Sequence, residues 1–148
     1  MAGKIRVFTV GYAGKSAQAF FELLQEAGVH RVIDVRLYNT SQLAGYTKRD
    51  DLAYFVRTIV GGDYVHLPQL APTKQILNDF KQGVIDWGQY EAAFNELIAA
   101  RRIETLVACE QIANACFLCT EAKSIHCHRR LVVEYLAKHW PGIDIVHL

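Results

Sequence analysis

The sequence predicts a single three-layer α/β domain: a five-stranded, mainly parallel sheet with helices on both faces. Three observations lead there. The chain has 148 residues, the length of one domain with a full core. Short β-branched apolar runs bounded by turn residues alternate with longer segments of helical period. The short runs are almost continuously hydrophobic, which fits strands covered on both faces better than a half-exposed hairpin sheet.

Taken in order, residues 5–10 form the first strand. Ser16 is a good N-cap for the first helix, Phe20, Leu23, Leu24 and Ala27 share its inner face, and Gly28 stops it. The second strand is 31–35, and a helix over 50–59 ends at Gly61-Gly62. A third strand, 63–67, is followed by helices over 73–81 and 87–100 and a short one over 103–112. The fourth strand is 115–119, the last helix is 128–139, closed by Pro141-Gly142, and the fifth strand is 143–147. The longest stretch without an element, 36–48, is either a functional loop or a surface crossover. Right-handed crossovers lead us to expect the strand order 3-2-1-4-5. In such sheets ligands bind beyond the carboxyl ends of the strands, whatever the order.

Composition excludes several classes. Sixteen Lys and Arg against fifteen Asp and Glu leave a net charge of +1, so the basic excess used for duplex nucleic acid is missing. No apolar window approaches the roughly 18 residues of a membrane span, so no membrane partner is expected. The start, Met-Ala-Gly-Lys-Ile-Arg, runs into a strand pattern and does not look like a signal peptide. Cys109, Cys116, Cys119 and Cys127 crowd together, a spacing that does not staple a domain. Free thiols in a reducing cytoplasm are expected. The sequence carries no signal of a cofactor or of oligomeric state.

The polar clusters all fall at strand carboxyl ends. Gly11-Tyr12-Ala13-Gly14-Lys15-Ser16 follows the first strand and is either an anion cradle or a plain strand-to-helix turn; it lacks the spacing of a nucleotide P-loop. Asp34 and Arg36 leave the same face of the second strand, as a structural ion pair or with Arg36 gripping a carboxylate or phosphate. His66 ends the third strand and reads as a satisfied structural histidine. Cys119 and Glu121 share a face, with Glu121 the candidate general acid/base and Cys119 a supporting wall, because a neighbouring carboxylate disfavours a thiolate. Cys127 stands at a helix N-terminus, where the dipole lowers a thiol pKa, and Arg129 sits in a first turn, where a cation wants an anionic partner. His128 is ligand, base or cap. Tyr12, Tyr38 and Tyr46 lie in loops where they can stack on a ring. Zinc is disfavoured: Cys116, Cys119, His126, Cys127 and His128 supply enough ligands, but Cys116 and Cys119 face opposite sides of a strand. No metal site is therefore expected.

These motifs, Gly11-Tyr12-x-Gly14-Lys15-Ser16, Asp34-Val35-Arg36, Ser41, Tyr64-Val65-His66 with Leu70-Ala71-Pro72-Thr73, Cys119-x-Glu121 and Cys127-His128-Arg129, resemble the family catalogued as domain of unknown function 488. The resemblance covers essentially the whole chain. It implies an α/β domain with a shared cleft and carries no agreed reaction. It places the family's motif residues on Tyr12, Ser16, Asp34, Arg36, Ser41, His66, Cys119, Glu121, Cys127, His128 and Arg129.

The leading expectation is a hydrolase or group transferase for a small anionic or nucleotide-like molecule. Asp34, Glu121 and Cys119 would be catalytic, with Asp34 and Glu121 dividing acid and base roles. Tyr12, Ser16, Arg36, Ser41, His66, Cys127, His128 and Arg129 would bind substrate. One alternative is a rhodanese-type sulfurtransferase, since Val-Ile-Asp-Val-Arg looks like a strand of that fold. Against it, Cys119 is followed by Thr-Glu-Ala-Lys-Ser-Ile, with no glycine and no Cys-x5-Arg loop. Another is a non-catalytic module for a ligand, nucleic acid ends or single strands, drawing on the loop tyrosines and Arg129-Arg130.

Overall fold

The computed structural model describes residues 5–40, 45–121 and 123–148. Among them the sheet has five strands, β1 (Ile5–Gly11), β2 (Arg31–Asp34), β3 (Asp63–His66), β4 (Ala115–Cys119) and β5 (Ile143–His147), and every pairing is parallel. Side-chain alternation along the strands builds two cores. On one face Val7, Ile33, Phe117 and Cys119 pack under α4 (Trp87–Arg101) and α6 (His128–His139), with α3 (Lys74–Lys81) outside α4. On the other, Phe8, Val32, Cys116 and Leu118 pack under α1 (Ala17–Ala27) and α2 (Arg49–Phe55). No helix among the described residues is long and apolar enough to cross a membrane.

Local chemistry sets the helix ends. The Ser16 side chain accepts from the Ala19 N–H, and Gly28 closes α1 at φ 73°. Thr73 caps α3, and Asp86 with Gln89 forms a reciprocal capping box on α4. Two expected helices are modified. Beyond Phe55 the second continues as a π-helical segment, Val56–Val60. The expected 103–112 helix is a 3₁₀ turn, Ile103–Thr105, followed by the single turn α5 (Cys109–Ile112). Arg102, in the left-handed region at φ 52°, has already turned the chain out of α4.

The strand order is 3-2-4-1-5, not 3-2-1-4-5. All five residues of β4 are buried, and both of its faces are apolar. Such a strand belongs in the middle, where neighbours on each side satisfy its backbone. It therefore sits between β2 and β1, beside Asp34 and Val35 on one side and Gly11 on the other. The exchange brings the end of β2 against the end of β4.

Beyond its carboxyl end β4 runs on beside β1, with the Tyr12 and Ala13 N–H groups donating to the carbonyls of Cys119 and Thr120. Any side chain at Gly11 would collide with the Glu121 carbonyl. Gly11→Ala is therefore expected to destabilise the fold by about 3 kcal/mol, the upper end for overpacking, because backbone must move. Gly14→Ala meets nothing within 4 Å and should lose only about 1–2 kcal/mol, for its positive φ. Urea unfolding of the two variants checks the difference.

Candidate functional site

Asp34 ends β2 completely buried, and the chain bends so that Arg36, 3% exposed, folds back on it. Arg36 Nε donates to Asp34 Oδ1 and Nη2 to Oδ2, both at 2.8 Å, and the Arg36 backbone N–H reaches Oδ1 at 3.1 Å. Oδ2 also accepts from the Tyr64 hydroxyl at 2.5 Å and from Asn39 Nδ2 at 3.3 Å. Burial pushes the Asp34 carboxyl up, but the Arg36 hydrogen bonds and charge, joined by Tyr64, outweigh it and hold the group below the ordinary carboxylate range. Tyr64 is pushed up in turn, by burial and by the Asp34 charge.

Arg36 is anchored from every side. Nη2 donates to the Thr47 carbonyl at 2.7 Å, the guanidinium lies 5.4 Å over the Tyr12 ring, and the Arg36 carbonyl is bonded to His66 Nε2 at 2.8 Å. Its Nη1 is buried with no hydrogen-bond partner among the described residues.

A cavity of about 350 Å³ opens where the ends of β2 and β4 meet the start of α6. Its floor is Cys119, Cys127 and His128, which are 6%, 3% and 7% exposed. Arg36 and Tyr38 come from the β2 side, Thr120 and Glu121 from the β4 side, and Phe80, Trp87 and Tyr90 from the α3–α4 hairpin. His126 stacks on Trp87 with ring centroids 5.0 Å apart. A larger depression of about 790 Å³ lies between α1 and α2, but its polar lining is surface Gln18, Glu22, Gln25, Lys48 and Asp51.

The floor is a connected cluster. The His128 ring lies against Cys119 Sγ, with Nδ1 at 3.5 Å and Nε2 at 3.8 Å. His128 Nε2 is 2.7 Å from the Val35 carbonyl, which can only accept, so this nitrogen carries a proton and donates it. Hydrogen bonding with Cys127, joined by the Thr120 N–H and the Arg129 charge, holds the Cys119 thiol below the usual range against the cost of burial. The same pairing, together with burial, pushes Cys127 up, against the expectation of a dipole-lowered thiol there.

The expected site residues therefore divide. Arg36, Cys119, Glu121, Cys127 and His128 line the cavity. Asp34 does not; its carboxylate is saturated by Arg36, Tyr64 and Asn39, so the geometry leaves Glu121 without the expected acid–base companion. His66 braces the Arg36 backbone, and Ser16 caps α1. Tyr12 lies beneath Arg36, while Tyr46 belongs to the opposite core and donates to the Lys15 carbonyl. Lys15 bends back to the Gly11 carbonyl at 2.6 Å, and the 11–16 segment contributes nothing to the cavity wall. Arg129, fully buried, donates to the Glu121 carbonyl and so holds the loop rather than the cavity. Ser41 lies outside the described residues. Helical spacing in α3 and α4 carries no sign that one flank of their hairpin borders a hollow.

Because the folded-state pKa of Asp34 is depressed, its contribution is present above the ordinary carboxylate value of about 3.9 and is lost as pH falls toward the lower folded value. Removing one donor to the charged form raises that folded value. Tyr64→Phe should therefore lower stability by about 1–2 kcal/mol at neutral pH and move acid unfolding to higher pH, both read from urea melts across pH.

No curated protein and no solved structure matched the chain. A family model, described as Domain of unknown function DUF488, matches residues 16–136, so the match spans β2, β3 and β4 and every residue of the cavity. By this match the chain belongs to the DUF488 family.

Proposed function

We propose that the chain is an enzyme, a hydrolase or group transferase, and that the cavity over β2 and β4 receives a small anionic substrate with a flat or apolar part. One observation carries the reading: a buried guanidinium, Arg36, stands in the wall of a ligand-sized cavity with Nη1 lacking a hydrogen-bond partner among the described residues. Nη1 is itself covered, so a phosphate or carboxylate oxygen supplies what it lacks, through a charge-assisted bond, once the side chains over it shift. Exposed Tyr38 and the Trp87–His126 stack offer ring faces to the rest of the molecule. Glu121, exposed at the rim, is the group available to move a proton, and Cys119, Cys127 and His128 form the floor against which the reacting part rests.

A thermal-shift screen of nucleotides, phosphorylated sugars and carboxylates tests this. A true ligand at 100 times its Kd should stabilise the fold by about 2.7 kcal/mol. Tyr38→Ala should weaken that ligand at least tenfold without loss of stability, because Tyr38 is 53% exposed. Arg36→Ala alone would strand the Asp34 charge. The pair Asp34→Asn with Arg36→Gln removes the guanidinium without doing so, and should abolish the shift. No stabilisation by any of the three classes, or a shift unchanged in both variants, overturns the proposal.

A further inference from the structure

We infer that Cys119, Cys127 and His128 form a site for one thiophilic divalent cation, with zinc the best fit, and that the ion keeps one coordination position open to the cavity. The two sulfurs and a ring nitrogen lie within 4.8 Å of one another, drawn together from the end of β4 and the start of α6. Zinc bonded at about 2.3 Å to sulfur and about 2.0–2.1 Å to nitrogen in a tetrahedron sets those two atoms about 3.6 Å apart. Cys119 Sγ and His128 Nδ1 are 3.5 Å apart.

The histidine is also in the right tautomer. Its Nε2–H is given to the Val35 carbonyl, which leaves Nδ1 as the lone-pair nitrogen of the neutral ring. A backbone carbonyl on the second ring nitrogen is how metal-bound histidines are held. The sulfur's similar distances to the two nitrogens show that the Nδ1 lone pair is turned aside from it, so coordination requires the ring to swing and its Nε2 contact with Val35 to shift with it. Two thiolates balance the charge of a dication, which a buried site needs. All three residues line the cavity, so a fourth ligand can come from there. Two cysteines, one histidine and an open position form a donor set that zinc uses in catalysis rather than in structure.

Cys116 has no part in it. It faces the opposite core, and that divergence from Cys119 removes the Cys116–Cys119 pairing without removing the site. Cys127 and His128 supply what Cys116 cannot. The inference deepens the function proposed above in one respect. Glu121, two residues beyond Cys119 and not a ligand, borders the same cavity, where its carboxylate can take the proton from a cation-bound water.

The test is a titration of the full chain, stripped with a chelator and kept reduced, with Zn²⁺ and with Co²⁺ as its spectroscopic stand-in. One equivalent is expected to bind, with a thiolate-to-cobalt charge-transfer band. Cys119→Ser and Cys127→Ser should each lose much of that band. His128→Gln should weaken zinc by more than the roughly 10–100-fold lost when a ligand's supporting partner is removed. The double variant Cys109→Ser with Cys116→Ala should bind as the parent does. Circular dichroism checks that each variant is folded; where a ligand variant unfolds, the parent spectrum and the Cys109/Cys116 variant decide. Substoichiometric binding, a cobalt spectrum without the thiolate band, binding that survives all three ligand variants, or its loss in the Cys109/Cys116 variant overturns the inference. The readout needs no substrate. A chain that binds zinc but is stabilised by no anion keeps this site and loses the proposed function, and the opposite pattern does the reverse.

Discussion

A carboxylate and a guanidinium sealed together at the end of β2 organise the carboxyl edge of the sheet. Asp34 has no contact with water and receives hydrogen bonds from Arg36, Tyr64 and Asn39. Arg36 answers by tying down the chain on both sides of it, through the Thr47 carbonyl, the Tyr12 ring and the His66 imidazole. Such a pair adds little net stability over a well-packed apolar one, yet loss of either partner alone costs about 3–5 kcal/mol because the other charge is stranded. It acts as a constraint on geometry: one guanidinium is fixed at the cavity wall, with its position set before any ligand arrives.

The second constraint is the central placement of β4. With β2 on one side of it and β1 on the other, Arg36 and Cys119 emerge from neighbouring strands and face a shared hollow, while the 11–16 turn follows β1 and reaches Arg36 only through the Tyr12 ring. The order 3-2-1-4-5 would have put that turn between them. Gly11 completes the arrangement by allowing the Glu121 carbonyl to lie against β1, where Arg129 holds it from behind. The cavity is thus a product of strand order together with the close approach of two loops.

Much of this was legible in the chain. The strands 115–119 and 143–147 and the helix 128–139 stand at their expected bounds, because period and the Pro141-Gly142 stop agreed there. Elements blurred where local signals were mixed, as at Arg102 and in the π-helical turn before Gly61. Arg36, Cys119, Glu121, Cys127 and His128, singled out because their chemistry is concentrated near strand ends, line one cavity. Asp34, His66 and Ser16 share those positions but lie off the cavity, bonded to Arg36 or to a helix end, and sequence position does not separate the two placements. Trp87, Tyr90 and Phe80 stayed hidden, because an aromatic on a helix reads the same whether it faces a core or a cavity.

The sequence by itself determined the α/β class, the alternation of elements, the rim where polar residues gather and the family to which the chain belongs. These follow from local period and from motifs, both written in neighbouring residues. It took the folded arrangement to settle which strand lies in the middle, that Asp34 is consumed by Arg36, and that burial beside Cys119 pushes the Cys127 thiol up where a helix dipole alone would lower it. Those outcomes depend on which groups meet across long stretches of chain, and on how burial reweights charge and hydrogen bonding once they do.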